Sequence, residues 1–323
     1  MQLANLYGQD KLSLDGRVAW SDEQMAFKIL DRYVELGGDF LDTAEMYPVP
    51  TDPKWAGASE EIIGRWLKAR PGMRPKVVIA TKVASFNGPG EGAKCPMIRE
   101  KVLGGDVNAA ADVKCDLSRA QVFRACDASL KRMGVDCIDL YQLHRPDYLM
   151  EQDEIAAAFE SLKQAGKVRE FGVSNFSVDQ LDHLQSACTM KLHSNQVEIS
   201  LIHYDAIEDG SLDYYQRHNI TPLAWSPLAQ GKLGSEYPVS LRNPNHSQEQ
   251  TIRDALHLVA KEEECSPTVV ALAWLLRHPA GIVPIIGSTN PEHIRDAARA
   301  VDLDLSREEW YRLMTAAVGQ PLP

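Results

Sequence analysis

Short β-branched runs alternate along this chain with stretches whose apolar residues recur every three or four positions. Residues 22–36 form the first amphipathic stretch and stop at Gly37-Gly38, the residue type that closes a helix in the left-handed conformation. Residues 39–42, Asp-Phe-Leu-Asp, then read as a strand. Ile62, Ile63, Trp66 and Leu67 set one apolar stripe on a helix over 59–69, and 76–82 supply the next strand. The alternation continues. A helix over 118–133, closed by Gly134, precedes a strand at 137–143; 152–165 precedes 168–174; 179–187 precedes 194–200; 213–218 precedes 221–225; 249–263 and 266–276 precede 281–286. Strands separated by helices pair in parallel through βαβ crossovers.

Repeating β/α units leave two architectures, an open doubly wound sheet or a closed barrel. The first carries a glycine-rich phosphate turn after its first strand. Here the tight glycine cluster Gly88-Pro89-Gly90-Glu91-Gly92 lacks the second half of that signature and leads into no helix. The expected fold is therefore α/β, a (β/α)8 TIM barrel. No linker-like composition shift divides the chain, so residues 1–323 read as a single domain, with 86–117 as a long loop.

Composition narrows the function. Of 323 residues, 44% are hydrophobic, enough for a sizeable core, and 34 basic against 45 acidic residues leave a net charge of −11. A nucleic-acid partner is not expected, since phosphate neutralisation needs a basic face. The longest apolar run, 269–276, is far short of the roughly 20 residues that span a bilayer, so no membrane association is expected. The six cysteines show no CxxC and no metal-ligand spacing. With no secretion-signal pattern, they read as reduced thiols of a cytoplasmic protein.

In a parallel barrel the active site gathers at the C-terminal ends of the strands. Listing the polar residues there brings out Asp42 and Tyr47 after the first strand, Lys82 at the end of the second and His144 after the third. Singly, each has a plain structural role: a helix-capping Asp, a solvated Lys, a packed His. Together they suit proton transfer. A phenol with a pKa near 10 is too weak an acid at neutral pH, and a nearby ammonium pulls that value down. Asp42 would hold Lys82 by a charge-assisted hydrogen bond, and His144 would hydrogen-bond the oxygen that Tyr47 protonates. A hydride must then come from a cofactor, because no side chain supplies one.

Asp42-Thr-Ala-x-x-Tyr47, Ala80-Thr-Lys82 and Gln142-Leu-His-Arg-Pro146 resemble the aldo-keto reductase family. So do Gly172-Val-Ser-Asn-Phe176, Asn195-Gln-Val197, Trp225-Ser-Pro-Leu228 and Ile286-Gly-Ser-Thr289, in the family's order. The resemblance runs from about Ala19 to the C-terminus and is nearest to the soluble bacterial-type reductases related to potassium-channel β subunits. It implies an NADP(H)-dependent barrel enzyme, with Tyr47 as proton donor and Asp42, Lys82 and His144 in support. It further implies Ser174, Asn175 and Gln196 at the nicotinamide carboxamide and Trp225 stacked on the ring. Ser226, Pro227, Leu228, Gly231 and Lys232 would lie along the pyrophosphate, and Ile286, Gly287, Ser288, Thr289 and His293 at the adenosine phosphate. Without the resemblance, Asn175 reads equally well as the cap of the helix near Val178, and Trp225 as core.

Two departures matter. His293 stands where the family carries an arginine for the 2′-phosphate, and a neutral imidazole grips phosphate less well than a guanidinium. This implies a relaxed preference for NADP(H) over NAD(H). The family also opens with a β-hairpin plug and a first strand ending Gly-Thr-Met. Here Met1-Gln-Leu-Ala-Asn5 reads as the stretch just after that strand, so the plug is expected to be missing, and whether the native N-terminus includes the first barrel strand is left open by the sequence.

A small-molecule carbonyl substrate would meet Trp55, Phe86 and Tyr148, with Tyr237 a further wall. The sequence leaves the physiological substrate, the reaction direction and the oligomeric state open. It also leaves a second class of function, an NADP(H)-binding regulatory or accessory subunit with little turnover. A metal-dependent hydrolase is the weakest reading, since no HxH or paired-carboxylate pattern accompanies Asp42, Glu45 and His144.

Overall fold

The computed structural model describes residues 23–48, 55–83, 116–235 and 246–322. The chain divides into two compact units, Met1–Ser194 with Gly287–Pro291, and Asn195–Ile286 with Glu292–Pro323.

In the first unit, α1 (Glu23–Glu35) buries Ala26, Ile29 and Leu30 and hands over to β1 (Phe40–Asp42). Helix α2 (Ala58–Ala69) turns Ile62, Ile63 and Trp66 inward ahead of β2 (Val78–Val83). Helix α3 (Arg119–Met133) starts at Ser118, whose hydroxyl accepts from the Gln121 amide, and stops at the left-handed Gly134 (φ 63°). After it come β3 (Ile138–Leu143), α4 (Gln152–Gln164), β4 (Val168–Ser174) and α5 (Val178–Ala187). The strands pair in parallel and in chain order, with Asp42 opposite Ala80, Lys82 opposite Gln142 and Leu143 opposite Val173. Helices α2 and α3 meet at Gly64, where a Cβ would lie 2.6 Å from the Arg132 carbonyl oxygen, so only glycine permits this approach. At the strands' N-terminal ends the buried Asp139 carboxylate accepts from the Ile79 amide (2.8 Å), Arg74 (2.8 Å) and Arg169 (2.7 Å). That face is built for stability.

Strand β5 (Leu192–Glu198) leads into the second unit, with α6 (Asp205–Glu208), α7 (Ser211–His218) and β6 (Thr221–Trp225). There follow α8 (His246–Glu262), α9 (Pro267–Leu276), β7 (Val283–Pro284), α10 (Pro291–Ala298) and α11 (Arg307–Val318). The apolar run over 269–276 is α9, buried from Thr268 to Leu275, with Trp310 stacked on Trp274 at 5.3 Å between ring centroids. Its start is fixed by Ser266 as cap and Pro267 in the first turn.

Two sequence expectations shift here. The strand expected at 281–286 shortens to Val283–Pro284, which pair with Leu223 and Ala224 of β6, and the Ile285 amide still donates to the Ala224 carbonyl (2.8 Å) beyond them. The strand expected from residue 194 begins at Leu192 instead. Expectations for the first strand and hairpin plug, for Phe86 and most of the 86–117 loop, and for Tyr237 lie outside the described residues.

Candidate active site

The strand ends bring Asp42, Tyr47, Lys82 and His144 together. Beyond β1 the chain stays against β2, the Thr43 amide donating to the Ala80 carbonyl (2.9 Å) and the Glu45 amide to that of Lys82 (3.2 Å). The His144 amide likewise continues β3 beside β2, donating to the Val83 carbonyl at 3.0 Å. Lys82 Nζ donates to Asp42 Oδ2 at 2.6 Å and to the Thr43 carbonyl at 2.9 Å, and both charged side chains are 0% exposed. A pair so completely desolvated persists only because each charge is directly satisfied. The same Nζ sits 5.2 Å from the centroid of the Tyr47 ring. The His144 ring meets Tyr47 edge to face, with 5.7 Å between centroids and 80° between planes. Tyr47 is itself buried, and its carbonyl accepts from the Gly57 amide at the start of α2 (3.1 Å).

Burial, followed by the cations Lys82 and Arg145, holds the His144 imidazole well below its ordinary 6.5. It is neutral at physiological pH. Its Nδ1 is buried and has no hydrogen-bond partner among the described residues. A proton there would be an unsatisfied buried donor, so we assign the tautomer with the proton on Nε2. The depressed value also has a stability consequence. Below about pH 6.5 the unfolded chain binds a proton that the folded protein refuses, so stability falls as pH drops from there towards the folded-state pKa. Urea titrations between about pH 6.5 and 5 should show a steeper loss for the wild type than for His144→Asn. Parallel slopes would contradict the assignment.

Next to this cluster, Ser174 is buried at the end of β4, and Asn175 takes a left-handed backbone (φ 59°). The Asn175 side chain donates through Nδ2 to the His144 carbonyl (3.2 Å) and the Ser174 hydroxyl (2.9 Å). It does not cap α5. That place belongs to Ser177, in a reciprocal capping box with Gln180. Trp55 is half-buried, whereas Tyr148 is 93% exposed on the loop after β3. This loop is shaped by Asp147, which sequence reasoning passed over: its carboxylate accepts from the Leu149 amide (3.0 Å) and the Leu117 amide (2.9 Å). The Pro-Asp pair at 146–147 was the available signal.

In the second unit Gln196 is buried and Trp225 half-buried at the end of β6. The loop after it turns through left-handed Ser226, Ala229, Gln230 and Gly231 (φ 50°, 47°, 58° and 88°). Its bend is closed by the Leu228 carbonyl, which accepts from the amides of Gly231 (2.9 Å) and Leu233 (3.1 Å). Pro227 of the same loop is buried. Lys232 Nζ pairs with Glu249 Oε1 of α8 at 2.8 Å, and Arg253 of the same helix donates to the Lys232 carbonyl. His293 is exposed on α10, and Arg295 is engaged by Glu292 at 2.6 Å. Ile286 is half-buried, and Gly287, Ser288 and Thr289 fall in the segment grouped with the first unit. Among the described residues, no helix is long and apolar enough to cross a membrane.

A β/α repeat with an ionisable cluster at the strand ends defines a class of barrel enzymes, and comparison with known proteins makes it specific. Residues 12–317 match the Aldo/keto reductase family. A 6-dehydroglucose reductase of Novosphingobium aromaticivorans is 35% identical over 98% of this chain and 92% of its own. One of Agrobacterium fabrum is 37% identical over 87% of this chain and 83% of its own. The crystal structure of the thermostable aldo-keto reductase Tm1743, with the inhibitor epalrestat, has a TM-score of 0.73 at 23% identity, covering 98% of this chain and 93% of that one. The fold is a (β/α)8 barrel, and the chain belongs to the aldo/keto reductase family. It is an oxidoreductase, and these relatives support carbonyl reduction in general.

Proposed function

We propose that this enzyme reduces aldehyde or ketone carbonyls to alcohols with NADP(H), using Tyr47 as the proton donor. The observation that carries the reading is the desolvated Lys82–Asp42 pair set against the Tyr47 ring beside a neutral His144. Asp42 keeps the Lys82 cation in place, and that cation favours the phenolate over the phenol, making Tyr47 a stronger acid. His144 Nε2–H orients the substrate oxygen without competing for the proton. Tyr47 then gives its proton to that oxygen as negative charge develops there.

The cofactor, when bound, supplies the hydride. The donor set fits such a group: Trp225 is half-buried at a strand end, as a ring-stacking residue must be, and Ser226, Lys232, Ser288, Thr289 and His293 offer hydroxyls and positive or neutral donors suited to phosphate. Ser174, Asn175 and Gln196 offer amide and hydroxyl groups for a carboxamide. Trp55 and Tyr148 remain our candidates for the substrate wall. The 6-dehydroglucose reductases among the relatives make a sugar-derived carbonyl the substrate class to try first.

Selectivity for the 2′-phosphate should be modest, because His293 replaces the guanidinium and Arg295, two residues further along α10, projects from a different face of the helix. Fluorescence titrations with NADPH and NADH should give dissociation constants that differ by less than about a thousandfold, or about 4 kcal/mol. A larger ratio would defeat this point. Turnover of 4-nitrobenzaldehyde with NADPH tests the reading as a whole, and binding of NADPH without turnover of any carbonyl would overturn it.

A further inference from the structure

Glu60 is a fully buried carboxylate that the proposed chemistry does not use. It lies in the first turn of α2, where Oε1 accepts from the Thr81 hydroxyl at 2.6 Å and Oε2 from Arg132 Nε of α3 at 2.6 Å. Arg132 is mostly buried, and Glu60 together with Glu45 raises its pKa against the cost of burial. One carboxylate thus ties α2, β2 and α3 together.

Its position relative to the reacting groups is what gives it meaning. Thr81 immediately precedes Lys82, and strand alternation sends the two side chains to opposite faces of β2. Thr81 reaches out to Glu60 while Lys82 reaches Asp42. The start of α2 also holds Tyr47, because the Gly57 amide, three residues before Glu60, donates to the Tyr47 carbonyl. The first turn of α2 is therefore fastened on one side to Tyr47 and on the other to the neighbour of Lys82. We infer that Glu60, through its hydrogen bond with Thr81, is a positioning residue that sets Tyr47 against Lys82. This rests on the proposed role of Tyr47 as proton donor.

Displacements of about 1 Å at a reacting pair can cost a hundredfold in rate, so loss of one strut should be visible without abolishing the site. In Thr81→Val, which removes the hydroxyl and spares the Glu60–Arg132 pair, we expect kcat at neutral pH to fall about tenfold. NADPH affinity should stay within about twofold of wild type, since no residue assigned to the cofactor is touched. The alkaline limb of the kcat profile should move to higher pH, because a phenol less well placed against the ammonium is a weaker acid. Thr81→Ser, which restores the donor, should return both kcat and the profile to wild type.

Circular dichroism at the assay temperature identifies folded protein for each variant. A folded Thr81→Val with wild-type kcat and profile would overturn the inference, as would a loss of kcat that Thr81→Ser fails to restore. Tyr47→Phe serves as the control. If it is inactive while Thr81→Val is unaffected, the positioning role fails alone. If Tyr47→Phe retains full activity, the reading beneath it fails.

Discussion

Tyr47→Phe should lower carbonyl turnover by about 10²- to 10⁴-fold, the range that positioned acid catalysis contributes, while leaving the dissociation constant for NADPH unchanged. The substitution deletes one oxygen from a ring that is already buried and in T-shaped contact with His144. What disappears on the proposed mechanism is the proton delivered to the developing alkoxide. Stopped-flow turnover of 4-nitrobenzaldehyde with NADPH, beside a fluorescence titration of the same sample, separates the two quantities. Equal rates in the two proteins would remove Tyr47 from the chemistry.

Lys82→Met should affect stability as well as rate. Asp42 and Lys82 are both 0% exposed and joined at 2.6 Å. Removing the cation strands a carboxylate in a medium where an unpaired charge costs about 3–5 kcal/mol. Urea unfolding at neutral pH should register a loss of that size, and turnover should fall together with it. Replacing both partners, Lys82→Met with Asp42→Leu, should recover much of the stability, since two apolar side chains of similar volume carry no desolvation cost. It should recover none of the activity. A Lys82→Met protein within about 1 kcal/mol of wild type would show that the pair is better solvated than its geometry indicates.

The ionisable cluster was legible in the sequence because a parallel barrel converts chain position into place: polar residues after successive strands must meet at one rim. Asp42, Lys82 and His144 sit at the ends of three neighbouring strands, and they do meet. What was not legible depends on partners that sequence spacing does not reveal. The clasp of Lys232 by Glu249 joins residues 17 positions apart, and the Glu60 bonds to Thr81 and Arg132 span 21 and 72. The pairing of Arg295 with Glu292 was open to reading, since residues three apart share a helix face. Asn175 was ambiguous for a different reason. Asn caps helices and also tolerates left-handed backbone, and only the structure shows Ser177 taking the cap while Asn175 turns back to the His144 carbonyl. Strand β7 was overestimated because apolar composition registers over all of 281–286, whereas strand length is set by how many of those residues find a partner on β6, here Val283 and Pro284.

Transfer of label from cofactor to product tests the central claim most directly. Wild-type protein would be incubated with an aldehyde and NADPH carrying deuterium at the transferable C4 position, and the alcohol analysed by mass spectrometry. The account predicts an alcohol with one deuterium on the former carbonyl carbon and stoichiometric oxidation of the nicotinamide. Tightly bound NADPH that stays reduced across a panel of aldehydes, ketones and sugar-derived carbonyls, with no labelled alcohol formed, would contradict it and leave a barrel that binds the dinucleotide without using it.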